Sequence, residues 1–143
     1  MKNKEFLLLV VAAGDGKPIT PVQLQKSLFL IGEADLVETP DQFYEFEAYH
    51  YGPFDATVYS DADVLKGDGM VARIPSSSGS WTDTLITPDG LAKAKLIENN
   101  LSPSTKEYIH SVVQWVQSLS FSTLLRAIYS KYPQYRENSV FQG

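Results

Sequence analysis

At Thr20-Pro21 and again at Thr87-Pro88 a proline follows directly behind a threonine that can cap a helix. Few sequence features restrict a fold so tightly. The hydroxyl accepts from an otherwise unpaired backbone N–H, and proline at the first helical position gives up no hydrogen bond. At the first site Gln23 stands three residues after Thr20, which completes a capping box. Leu24, Leu28 and Ile31 then recur at helical spacing, and Gly32 is the expected stop. The second site predicts a helix from Pro88 to about Glu98.

The remaining elements follow from these two anchors. Phe6 to Ala13 is an apolar run of eight residues behind a short basic head, which imitates an export signal. It is near the short limit for such a signal and far below the roughly 20 residues that span a bilayer. The turn Gly14-Asp15-Gly16-Lys17-Pro18 leads straight into the capped helix, so the run reads as a first core helix and the expected location is cytoplasmic. Alternation from Phe43 to Tyr51 predicts a short strand. Gly52-Pro53 is expected to open a third helix with Phe54, Val58, Ala62 and Leu65 on its buried face. Strand-like stretches at Met70–Ile74 and Trp81–Ile86, joined by a serine-rich tip, predict a hairpin. Helices from about Pro103 to Ser118, with Tyr108, Ile109, Val112, Val113 and Val116 inward, and from Ser120 to near Pro133, with Phe121, Leu124, Leu125 and Ile128 inward, complete the chain.

This order predicts a mainly α protein with a small β component. It corresponds to a winged-helix core with additional C-terminal helices. The 143 residues fit a single domain: a core over 1–101 with an insertion at 34–52, then a helical pair over 102–135. There is no cysteine, which removes disulfides and thiolate chemistry.

Charge bears on function. Between Glu33 and Asp68 there are ten acids and one base, a net of −9, whereas the rest of the chain carries +4. DNA affinity rests largely on lysine and arginine neutralising phosphates. A third helix bearing Asp55, Asp61 and Asp63 against Lys66 alone is therefore not expected to read DNA. Each carboxylate brought beside a phosphate costs on the order of 1 kcal/mol in water. The acidic stretch is either a solvated face or a docking surface for a basic partner. Asp55, Tyr59 and Asp63, spaced by four, would share one helix face, and a tyrosine ring among acids suits an arginine-rich partner. His50 and Tyr51 border that surface, and these five residues are the candidate partner-binding set. For Tyr49, Tyr51 and Phe54 the favoured reading is that they fill the core where strand meets helix.

For catalysis or metal binding the residues offer little. His50 and His110 have no ligand spacing, and Glu45 with Glu47 reads as an exposed polar face rather than an acid–base pair. Gly14-x-Gly16 lacks the rest of a nucleotide-binding fingerprint. No catalytic residue, metal or cofactor is expected.

Leu24-Gln25-Lys26-Ser27-Leu28-Phe29, Tyr49-His50-Tyr51-Gly52-Pro53-Phe54 and Ile86-Thr87-Pro88-Asp89-Gly90 occur in this order. The ordered trio resembles the pattern of Panacea-type, phage-associated antitoxin domains and of their winged-helix cousins in bacteria and archaea. The resemblance covers about Leu24 to Gly90. It implies a binding protein: some relatives neutralise a toxin by contact, and others are adaptors that deliver a partner to a protease. The threonine-histidine segment and closing tryptophan of the antitoxin branch are missing, and the chain ends through Tyr129, Tyr132 and Pro133 as the cousins do. The expected function is a non-enzymatic interaction module with a protein partner (a toxin or a protease substrate) and no membrane. A homodimer is compatible with it. The alternative is a DNA-binding regulator that uses the more basic C-terminal helices. The tail from Glu137 to Gly143 partly echoes a protease-tag scar.

Overall fold

The computed structural model describes residues 1–34, 37–40 and 42–141. Asp35 and Asp41 of the acidic stretch, and Gln142 and Gly143 of the scar-like tail, lie outside the described residues. The protein is mainly helical with two small antiparallel hairpins. In chain order the elements are α1 (Asn3–Ala12), α2 (Pro21–Glu33), β1 (Glu47–Tyr49), β2 (Gly52–Phe54), α3 (Thr57–Gly67), β3 (Val71–Pro75), β4 (Thr82–Ile86), α4 (Pro88–Glu98), α5 (Pro103–Ser118) and α6 (Phe121–Lys131). A 3-10 turn at Pro133–Arg136 follows.

Helix α1 is the centre of the molecule. Every residue from Phe6 to Ala13 is buried, and the helix touches α2, α3, α4, α5 and β4. A helix that is apolar all round must be enclosed on all sides, so the eight-residue run is core rather than surface. No helix among the described residues is long and apolar enough to cross a membrane.

The capping box at α2 forms as the spacing requires, with Gln23 N 3.2 Å from Thr20 Oγ1 and Thr20 N 3.0 Å from Gln23 Oε1. The helix then runs past Gly32 to Glu33, so Gly32 is not its stop. A side chain there would sit 2.7 Å from the Phe43 ring, so this glycine makes room for an aromatic.

The segment from Phe43 to Phe54 departs from expectation. Only Glu47–Tyr49 is strand, and Gly52-Pro53 does not open a helix but forms the returning strand, in register Glu47↔Phe54, Ala48↔Pro53 and Tyr49↔Gly52. The two-residue loop His50-Tyr51 is tight, and Gly52 takes the positive φ of 89° that follows it. Pro53 lies opposite Ala48 at a position without ladder bonds, so its missing N–H costs the hairpin nothing. Helix α3 begins only at Thr57 and buries Val58, Ala62 and Leu65, while Phe54 stays outside it.

Hairpin β3–β4 has the register Val71↔Ile86 through Pro75↔Thr82. Ile19 adds a one-residue third strand, exchanging both backbone bonds with Thr84 at 2.8 and 2.9 Å. Helix α5 packs on α2 and α1. Ile109, Val112, Val113 and Val116 join one core with Leu124, Leu125 and Ile128 of α6, while Tyr108 packs against that core only partly buried. Phe121, expected inside, is exposed.

Candidate functional site

Two of the three motifs that stand apart in sequence meet in space, and the work of all three is structural. Gln25 is buried and grips the backbone of Asp55 twice, donating to its carbonyl at 2.9 Å and accepting from its N–H at 3.0 Å. Lys26 is only 2 % exposed, and its Nζ donates to the Pro53 carbonyl at 2.9 Å. Burial without a carboxylate partner pulls the Lys26 pKa down to about 7. The leucine-glutamine-lysine helix is therefore the clamp that holds the glycine-proline strand. In the third motif, Thr87 Oγ1 donates to the Gly69 and Met70 carbonyls at 2.7 and 2.9 Å and accepts from Gly90 N at 3.0 Å. A Cβ on Gly90 would stand 1.9 Å from the Met70 carbonyl oxygen, so only glycine fits.

The five residues marked by sequence divide into two groups. Asp55 does not lie on the face of α3. It precedes the helix, and its carboxylate accepts from Glu45 N, Thr57 N and Thr57 Oγ1 at 2.7–2.8 Å, which makes it the cap that α3 otherwise lacks. Asp63 is on α3 and exposed, but it pairs with Arg73 Nη1 at 3.0 Å. Tyr59 is half-buried. Burial raises its pKa, against smaller opposing effects from Gln25 and Arg73. Asp61 is engaged as well, accepting from the hydroxyl of Tyr44. Among the described residues the free acids of the Glu33–Asp68 stretch are Glu33, Glu38, Glu45, Glu47 and Asp68, whose exposed side chains have no hydrogen bond or ion pair.

His50 and Tyr51 lie at the tip of the β1–β2 hairpin. The His50 ring stacks on Tyr49 at 4.4 Å, and its carbonyl accepts from Val140 N and Ser139 Oγ. Tyr51 belongs to an apolar groove of about 590 Å³. One wall is the first turn of α2, with Thr20, Pro21, Val22 and Gln23; the other holds Tyr51, Trp81 and Phe121. These three rings are 45, 47 and 44 % exposed. Phe121 is held edge-on to Tyr51 at 5.4 Å, and the Trp81 indole is oriented by a 2.9 Å bond from Nε1 to Asp83 Oδ1. No lining residue is charged.

Sequence reading placed Tyr51 on the contact surface but missed Trp81 and Phe121, which lie 30 and 70 residues further on. It also missed the pair His110 Nε2–Asp15 Oδ2 at 2.8 Å. That pair borders a second cleft of about 770 Å³ between α1, α4 and α5, where Lys106 and Glu98 also pair at 3.2 Å. Asp15 has a φ of 54° there, a conformation that aspartate adopts more readily than most residues. Among the described residues no group of three or more histidine, aspartate or glutamate side chains could hold a metal ion.

In comparison with known proteins, the chain matches no family model and no curated protein.

Proposed function

We propose that this protein is a non-enzymatic interaction module that binds a basic protein partner, as an antitoxin-like or adaptor protein does. The observation that carries this reading is the aromatic groove. Exposed, uncharged aromatic side chains gathered on one concavity are the usual anchors of a protein contact. The acidic stretch keeps free carboxylates, among them Glu45 and Glu47 on the segment that leads to Tyr51, and Asp68 after α3. Charges of this kind steer a basic partner and add more to the association rate than to the final affinity. The winged-helix order of elements fits a scaffold whose third helix is too acidic to serve as a DNA reader.

The test is a pull-down from native lysate at low and moderate salt, with wild type and with the triple variant Glu45→Lys/Glu47→Lys/Asp68→Lys. Asp55 is left intact because its substitution would undo the cap of α3. A basic protein recovered at low salt, and lost with salt and with the variant, supports the reading. Equal recovery by the variant removes the acidic face, and nucleic acid alone in the eluate shifts the reading to a DNA-binding regulator.

A further inference from the structure

We propose that the groove receives an extended segment of the partner as an added strand on the outer edge of β4, with apolar side chains at its centre and lysine or arginine at its flanks. This rests on the interaction reading above and specifies how the contact is made.

The hydrogen-bond parity of the hairpin carries the geometry. Bonds from Thr87 N to the Met70 carbonyl and from Ser76 N to the Trp81 carbonyl fix which pairs face each other across β3–β4. The pairs Val71↔Ile86, Arg73↔Thr84 and Pro75↔Thr82 are then the ones whose strand bonds point outward. Thr84 spends its outward N–H and carbonyl on Ile19. Thr82, two residues along, points the same way, but its would-be partner is lost because the chain turns into α2 at Pro21. Among the described residues no backbone bond joins Thr82 to any residue outside its hairpin. An unpaired strand edge is a template for another chain.

The groove begins where this edge stops. Trp81, next to Thr82, and Pro21 and Val22, at the turn into α2, all line it. A strand added at Thr82 would direct alternate side chains towards the rings of Tyr51, Trp81 and Phe121, which suits an apolar or aromatic centre. A lining without charge excludes charged residues from that centre. The net charge of −5, concentrated between Glu33 and Asp68, favours basic flanks. A helical ligand would use the concavity but leave Thr82 unpaired, so the free edge selects the extended form.

The experiment is selection of a phage-displayed random peptide library on the full-length protein, with counter-selection on Trp81→Ala/Phe121→Ala. Binding of the resulting synthetic peptides is then measured, with amide exchange at Thr82 followed by NMR. Trp81→Phe and Phe121→Leu serve as milder variants should the alanine pair fail to fold. Expected are peptides of alternating apolar residues with basic ends. Their affinity should fall about tenfold or more in the groove variants and on backbone N-methylation of the pairing residue, and exchange at the Thr82 amide should slow by a similar factor on binding. A groove-dependent peptide that tolerates N-methylation and leaves Thr82 exchange unchanged overturns strand addition while the interaction reading stands. Selected peptides with acidic ends overturn the basic flanks. If no groove-dependent peptide emerges, the proposal falls, and the triple charge variant in the pull-down then decides whether the interaction reading falls with it.

Discussion

Lys26 sets the sharpest expectation among single residues. Its pKa is lowered from 10.5 to about 7, so between those values the unfolded chain binds a proton that the folded chain does not. Stability therefore rises with pH across that window and stays low beneath it, where a buried ammonium has only the Pro53 carbonyl. At 1.36 kcal/mol per unit the full span amounts to about 5 kcal/mol. Tyr44 and Tyr59, whose pKa values burial raises, act in the opposite sense. Their stabilisation is lost as pH rises through the ordinary tyrosine range, so the lysine slope is read between about pH 7 and 9.5. Urea unfolding over that interval should show the slope in wild type and not in Lys26→Met, which should be the more stable protein at neutral pH. A flat wild-type profile would mean that Lys26 reaches water. Gly90→Ala tests a different constraint, since its Cβ would overlap the Met70 carbonyl oxygen. A loss of about 1–3 kcal/mol or more is expected by thermal unfolding, and an unchanged midpoint would show that the hairpin can shift away.

At the scale of elements, helix starts and helix faces differ in how openly the sequence declares them. The caps at Thr20, Thr87, Ser102 and Ser120 all accept from the backbone three residues on, as local chemistry demands. Removing one, in Thr20→Ala, should cost about 1 kcal/mol. The β1–β2 hairpin was hidden because proline after glycine suits a helix start as well as a strand that needs no N–H. What settled it was Gln25 and Lys26, some 30 residues away, gripping Asp55 and Pro53. For the same reason Asp55 is a structural residue. Asp55→Ala strips two acceptor contacts from the start of α3 and one from Glu45 N, and should cost about 1–2 kcal/mol by urea unfolding. The Asp63–Arg73 pair is open to water on its aspartate side and largely covered on its arginine side, and should show a coupling of no more than about 1 kcal/mol in a double-mutant cycle. A much larger coupling would mean that the covered arginine side, not the exposed aspartate, governs the pair.

For the whole molecule, binding of a basic partner should weaken steeply as salt approaches and passes about 0.15 M, where the screening length falls to roughly 8 Å. An affinity independent of salt would assign the contact to the groove alone. The sequence by itself determined the starts of α2, α4, α5 and α6, the β3–β4 hairpin, the buried first helix and the concentration of acid between Glu33 and Asp68. Each depends on neighbours within a few residues: a cap and its proline, a repeat of apolar side chains, a sum of charges. Tertiary structure decided which carboxylates are free, that Lys26 is buried, and that Tyr51, Trp81 and Phe121 form one surface. Those outcomes depend on residues 10 to 70 positions apart that meet only when α2, the two hairpins and α5–α6 close around α1. Side-chain chemistry fixes local geometry through bonds that span one turn, but a groove is the space left between elements, and no single segment encodes it.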